Sequence, residues 1–151
     1  MRASEIIDLL GLEPLAAEGG HFARTWRDEN GTGIYYLMQP EEFSAMHRLH
    51  APELWHHYAG AAVEMLLLAP DGSLATPILG DDLRQGQRPC VAVPAGTWMG
   101  AATTGDWSLV GTTMAPPFEP EGFELGTASD LISRYPAAAD KISRLVRNAS
   151  A

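Results

Sequence analysis

The chain has 151 residues, of which 46% are hydrophobic and 19% are charged, and this length and composition are typical of one globular domain without a disulfide scaffold. Ten Lys and Arg residues against nineteen Asp and Glu residues give a net charge of −9, which argues against nucleic acid as a partner because phosphate groups would be repelled. No apolar run approaches the roughly 20 residues of a membrane span and the first residues lack the apolar core of a secretory signal, so we expect a cytoplasmic protein with no membrane partner.

The first predicted element is a short helix. Apolar residues recur at helical spacing over positions 4–10, Ser4 can cap the start, and Gly11 can end the helix. From His21 to Phe118 the pattern changes to brief runs that are rich in aromatic and β-branched residues and separated by turn-forming clusters. These runs cover positions 21–26, 33–38, 54–58, 63–68, 74–79, 90–93, 97–101 and 107–114.

The spacing of the runs predicts the architecture. Runs that recur about every ten residues are typical of an antiparallel sandwich or a jelly-roll barrel rather than of alternating βαβ units. We expect one domain over residues 1–151, with a barrel core at about 19–120. The pattern becomes helical again near the end, which predicts a tail of helices over about 127–148 that packs outside the barrel.

Four of the five histidines lie between positions 47 and 57. Because side chains alternate along a strand, the second part of this stretch places Glu53, Trp55 and His57 on one face. A histidine beside a carboxylate suits acid–base catalysis near neutral pH, and the same donors suit a divalent metal ion. Histidines that are solvated at a strand end need no function, so three interpretations stay open.

Further side chains are candidates for the same site. Glu64 interrupts an apolar run, which predicts either a second pocket acid with a raised pKa or an outward-facing residue. Tyr36 can offer its phenol to a ligand or serve in the core, and Met99 can line the pocket or fill the core. We assign Trp98 to the ligand site, although strict alternation directs it away from the Met99 side. Cys90, the single cysteine, is expected to be a small buried apolar residue.

Several motifs resemble those of the cupin superfamily. His47, Glu53 and Gly60 match the first cupin motif, and the run from Val91 to Trp98 matches the second. More narrowly, the chain resembles a branch of small single-domain cupins from bacteria and fungi, most of them uncharacterised, over about residues 4–136. The segments that carry this resemblance are positions 19–22, 34–37, 47–49, 53–56, 58–60, 93–98 and 115–118. The resemblance implies an all-β double-stranded β-helix, a jelly roll whose two sheets enclose a pocket, and a homodimer.

The resemblance also bears on metal binding. In metal-binding cupins the first motif supplies two histidines and a glutamate, and the second supplies a further histidine. His47 and Glu53 occupy two of these four positions, whereas Leu49 and Met99 occupy the other two. An isobutyl group and a thioether cannot replace imidazole for a hard or borderline divalent ion, so we expect no metal cofactor; a metal that did bind would use His47 and Glu53. The neighbouring histidines that could be recruited to it are His50, His56 and His57.

The preferred hypothesis is that the barrel binds a small polar metabolite, a sugar or a related compound, and catalyses metal-independent proton transfer. Metal-free cupin epimerases that act on nucleotide-linked sugars use a histidine–carboxylate pair, and this fold-level analogy makes isomerase or epimerase chemistry physically reasonable here. A histidine would act as the base, Glu53 would orient it, and Glu64 or a tyrosine would return the proton. The catalytic candidates are His47, Glu53, His57 and Glu64, and the ligand-binding candidates are Trp55, Tyr36, Trp98 and Met99. Two alternatives stay open: a metal-dependent oxygenase or isomerase, and a ligand-binding sensor without turnover.

Overall fold

The computed structural model describes residues 1–147. It begins with helix α1 (Ala3–Leu10), which ends at Gly11 in a left-handed conformation with φ of 64°, as the sequence predicted. The last residues of the expected tail and domain, 148–151, lie outside the described residues.

Most of the remaining elements are strands, and most of these strands fall where the aromatic and β-branched runs predicted them. Within residues 1–147 the strands are β1 (Glu13–Pro14), β2 (His21–Asp28), β3 (Gly31–Met38), β4 (Ser44–Leu49), β5 (Glu53–Gly60), β6 (Val63–Leu68), β7 (Leu74–Ala75), β8 (Ile78–Leu79), β9 (Cys90–Val93), β10 (Trp98–Thr103), β11 (Ser108–Met114) and β12 (Phe123–Leu125).

The strands form two antiparallel sheets. The order in the first sheet is β1-β2-β3-β11-β5-β9, and the order in the second is β12-β4-β10-β6-β7, with β8 also paired to β6. The main apolar core lies between the sheets, where Tyr36, Trp55 and Val110 of the first sheet meet Met65 and Met99 of the second. This arrangement confirms the all-β jelly roll.

The helices pack on the outer faces of the sheets. Helices α2 (Ala128–Arg134) and α3 (Ala139–Arg144) cover the second sheet through a cluster that includes Leu131 and Ile142. Helix α1 covers the first sheet through Ile6. None of the helices within residues 1–147 has both the length and the apolar character needed to cross a bilayer.

Cys90 lies at the start of β9, and its side chain is exposed. The side chains of β9 alternate, with Val91 and Val93 buried and Cys90 and Ala92 exposed. The expectation that Cys90 is buried is therefore wrong, because the period of the strand directs this side chain to the outer face of an edge strand.

Candidate functional site

The two sheets enclose a cavity of about 260 Å³ that opens to solvent. Polar groups reach it from β2, β3, β4, β5 and β11 and from the loop that follows β1. The large apolar side chains of its wall are Leu15, Phe22, Ile34, Leu49, Met114, Phe118 and Phe123. Its polar side chains are Glu18, Arg24, Thr32, His47, Glu53 and Thr112.

Strand β4 holds His47 in the cavity wall with only 1% of the residue exposed. Its Nδ1 lies 2.7 Å from the carbonyl oxygen of Ala45, and because a carbonyl oxygen only accepts, Nδ1 carries the hydrogen. The neutral ring therefore has its free lone pair on Nε2. The ring also stacks on Phe123 with 5.3 Å between centroids. These contacts fix both the tautomer and the orientation of the imidazole.

Glu18 is the acidic partner of His47, and the sequence did not single it out. Its Oε1 lies 3.7 Å from Nε2 of His47, and its Oε2 accepts a hydrogen bond of 2.6 Å from the hydroxyl of Ser44. The carboxylate therefore faces the imidazole nitrogen that can take up a proton, and it would stabilise the resulting cation. Glu18 immediately precedes two glycines in the resemblance segment 19–22, a tight-turn signal that could have drawn attention to it.

Several contacts hold the loop that carries Glu18. Gly19 and Gly20 adopt φ angles of 105° and 80°, which residues other than glycine rarely adopt. The phenol of Tyr36 donates a hydrogen bond to the carbonyl of Gly19. The guanidinium of Arg147, which follows α3, donates to the carbonyl of Glu18 at 2.7 Å. The loop is therefore tied to both a core strand and the segment after the last helix.

Glu53 is the second acid of the cavity, at the start of β5, and only 8% of the residue is exposed. Its Oε1 accepts a hydrogen bond of 3.0 Å from Nε1 of Trp55. Burial, supported by the nearby charge of Glu18, raises the pKa of Glu53 from 4.5 to about 7, although His47 and hydrogen bonds from Thr112 and Trp55 act in the opposite direction. Near neutral pH this carboxyl group therefore exists in both protonation states.

A second depression adjoins the cavity. It has a volume of about 490 Å³ and shares Leu49, Met114 and Phe118 with the cavity. His50 and Glu121 lie on its wall. The shared side chains line both, and the cavity, called the chamber below, is the more apolar of the two.

The comparisons with known proteins agree with this geometry. The family model described as Cupin superfamily (DUF985) matches residues 4–126. The chain belongs to the cupin superfamily.

Solved structures of other proteins resemble this one over most of its length. An X-ray crystal structure of a Shewanella oneidensis protein has 35% sequence identity and a TM-score of 0.92, covering 97% of this chain and 98% of that chain. A hypothetical protein from Leishmania major has 24% identity and a TM-score of 0.90, covering 98% and 100%. A mutant of oxalate decarboxylase from Bacillus subtilis has 9% identity and a TM-score of 0.61, covering 89% and 37%, and this likeness shows the fold alone. Comparison with curated proteins finds no match.

The donor set of this cupin does not fit a metal ion. Leu49 lines the cavity and Met99 is buried in the core beneath it, so neither of these positions supplies an imidazole. Among residues 1–147, no group of three His, Cys, Asp or Glu side chains is arranged to hold a metal ion. We therefore derive no chemical step through a metal.

Three of the ligand-binding candidates lie in the cupin core rather than at the cavity surface. Trp55 and Tyr36 are each 1% exposed and pack edge to face with 6.0 Å between centroids. Met99 belongs to the same cluster. Burial also raises the pKa of the Tyr36 phenol well above its ordinary value. Trp55 and Tyr36 therefore do not line the cavity themselves, but they form hydrogen bonds to Glu53 and to the carbonyl of Gly19.

Trp98 and Glu64 do not face the cavity. Trp98 packs among the helices outside the second sheet, with the guanidinium of Arg48 4.6 Å from the centre of its ring, because the alternation of β10 sends Met99 inward and Trp98 outward. Glu64 is exposed on the outer face of β6, beside Lys141. The expected placement of Trp98 at the ligand site is therefore wrong, and of the two alternatives for Glu64 the structure shows the outward-facing one.

His57 is also outside the cavity. It lies four residues after Glu53, roughly 13 Å along an extended strand, and its Nε2 is 3.2 Å from the carbonyl oxygen of Ala61. His56 contacts Thr113 at 2.9 Å on the outer face of the sheet. Of the clustered histidines, only His47 meets the cavity carboxyl groups.

Proposed function

We propose that the cavity of this cupin binds a small metabolite and transfers a proton on it without a metal ion, in an isomerase- or epimerase-type reaction. The observation that carries the proposal is the convergence of His47, Glu18 and Glu53 on one small apolar cavity. Acid–base catalysis usually needs one group that accepts a proton and another that donates one, and the surroundings of each group set its role.

His47 is suited to accept the proton. The hydrogen bond from Nδ1 to Ala45 leaves the lone pair of the neutral ring on Nε2. When Nε2 takes up a proton, the carboxylate of Glu18 at 3.7 Å stabilises the imidazolium. Glu18 therefore stabilises the protonated base, while Ala45 and Phe123 orient the ring, a role that the sequence had assigned to Glu53.

Glu53 is suited to return the proton. With its pKa raised to about 7 by burial, part of the population carries a proton at neutral pH. An ordinary surface glutamate would be almost fully ionised at that pH. Glu53 therefore takes the role of acid that the sequence had assigned to Glu64 or a tyrosine.

The proposed step begins with a substrate that has an acidic C–H bond beside a carbonyl group. Nε2 of His47 takes the proton while the C–H electron pair moves toward the carbonyl oxygen to give an enolate. Glu53 then delivers its own proton to the carbon as the carbonyl re-forms. One proton leaves and one returns, and exchange with solvent restores the two protein groups.

The cavity walls indicate the character of the ligand. Seven large apolar side chains surround the polar groups. Most hydroxyl groups of a bound sugar would therefore lack hydrogen-bond partners, which is unfavourable. The volume of about 260 Å³ is below the roughly 300–1,000 Å³ of pockets for drug-sized ligands. A small metabolite with an apolar portion therefore fits this chamber better than a sugar does.

Hydrogen–deuterium exchange tests the proposal. Phenylpyruvate is a suitable probe because its C3 hydrogens lie beside a ketone and its ring is apolar. Chelator-treated protein in D2O should accelerate loss of the C3 proton signal in NMR above the buffer rate. His47→Gln and Glu53→Gln should each lower this acceleration by about 100-fold, the smaller end of typical acid–base contributions.

His56→Gln is the matched control, because His56 lies on the outer face of the same strand as Glu53. This variant should keep the wild-type exchange rate, and circular dichroism should show that all three variants are folded. Exchange at the buffer rate in the wild type, or undiminished exchange in both cavity variants, would overturn the proposal. Activity that disappears on chelation would instead favour a metal-dependent cupin.

A further inference from the structure

Arg24 is the one cationic side chain among the described residues that line the cavity. It is exposed and therefore stands where the chamber meets solvent. Phe22 and Arg24 both reach the cavity from β2, as expected for residues two positions apart on a strand. The pairing of β2 with β3 then shifts register between Arg24 and Trp26, and such bulges redirect side chains at functional sites.

Within residues 1–147 Arg24 forms no side-chain hydrogen bond and no ion pair, whereas other arginines of the barrel strands do. Arg27 on the same strand pairs with Glu119 at 2.9 Å, and Arg48 bonds to Glu124. The chain has nineteen acidic residues against ten basic ones, so carboxylates are plentiful. None of the described acidic side chains forms an ion pair with the guanidinium of Arg24.

We infer that Arg24 binds the carboxylate of the ligand, which makes the ligand a small monocarboxylate with an apolar body. This inference rests on the ligand-binding part of the proposed function. A guanidinium matches a carboxylate through two parallel hydrogen bonds, and the apolar walls accept the rest of the molecule. A single anionic group suits the chamber, because Glu18 and Glu53 would repel a second negative charge placed beside them.

The test compares two probes of nearly the same shape, benzoate and benzamide, by calorimetry or ligand-observed NMR. Benzoate should bind wild-type protein at least about tenfold more tightly than benzamide, and Arg24→Gln should reduce that ratio to about one by weakening benzoate alone. Arg24→Lys should keep part of the preference, because it keeps the charge but not the planar fork.

Arg84→Gln is the matched control, since Arg84 is exposed in a short 3-10 helix and does not line the cavity. It should leave both affinities within about twofold of the wild type. Equal binding of the two probes, an unchanged ratio in Arg24→Gln, or no benzoate binding at about 10 mM would overturn the inference. These measurements involve no turnover, so failed proton exchange with intact benzoate selectivity would remove the proposed reaction and leave the role of Arg24 standing.

Discussion

Glu53 is the residue whose chemistry depends most directly on the fold. Burial raises its pKa from the ordinary value of 4.5 to about 7, so the folded protein keeps a proton that the unfolded chain loses between these two values. Folded stability must therefore fall as the pH rises through this window. The shift corresponds to at most about 3 kcal/mol.

We predict that Glu53→Gln removes this pH dependence. Chemical denaturation at pH values from about 4 to about 8 should show the wild type losing up to about 3 kcal/mol of unfolding free energy relative to the variant. The difference between the two proteins isolates Glu53 because their other titratable groups are the same. Parallel stability profiles for the two proteins would contradict the raised pKa.

The sequence predicted part of the site at the residue scale. His47 and Glu53 stood out because they match positions of the first cupin motif, and both line the cavity. Glu18 and Arg24 did not stand out, because their importance comes from strands and loops brought together by long-range pairing. Glu64 could not be assigned from its apolar neighbours alone, since a strand buries only one of its two faces.

At the scale of elements, the loop that carries Glu18 depends on the segment after α3. The guanidinium of Arg147 donates to the carbonyls of Glu18 and Phe43 at 2.7 and 2.8 Å. The backbone amide of Ala45 also donates to the carbonyl of Glu18. The distant segment therefore helps to position an acid of the cavity.

We predict that Arg147→Gln loosens this loop without unfolding the barrel. Amide hydrogen exchange at Gly19 and Ala45 should become about fivefold faster, which corresponds to about 1 kcal/mol for the lost hydrogen bonds. Arg144→Gln makes the same charge change in α3 without touching the loop, and it should leave both rates unchanged. Equal effects of the two variants would show that Arg147 acts only through charge.

The strands were predicted better than the direction of individual side chains. Turn-forming clusters and apolar runs marked most of the barrel because they reflect local backbone preferences. The very short strands β1 and β12 escaped prediction, since two or three residues carry no usable period. Strand alternation placed His57 on the same face as Glu53 and Trp55. The strand has eight residues and extends past the end of the cavity, so His57 does not reach it.

At the scale of the whole molecule, we predict a homodimer. Strand β9 lies at the edge of the first sheet, and an edge strand presents unpaired backbone groups that proteins usually cover. Light scattering coupled to gel filtration should give about twice the chain mass of 16.3 kDa. A mass equal to one chain at micromolar concentration would contradict this prediction.

We also predict that the purified protein contains no stoichiometric metal. His47 and Glu53 stand at two of the four positions that hold a metal in metal-binding cupins, while Leu49 and Met99 stand at the others. Elemental analysis of untagged protein prepared without chelator should find well below one divalent ion per chain. One bound ion per chain would show that the present donors suffice.

The proposed proton transfer depends on a buried carboxyl group and an imidazole that line the same cavity, and the titration of Glu53 tests this directly. Protein labelled with carbon-13 at the glutamate side-chain carboxyl carbon should show one NMR signal that titrates near pH 7 and is missing from Glu53→Gln. A Glu53 signal that titrates near 4.5 would mean that the carboxyl group is fully ionised at neutral pH and cannot return the proton.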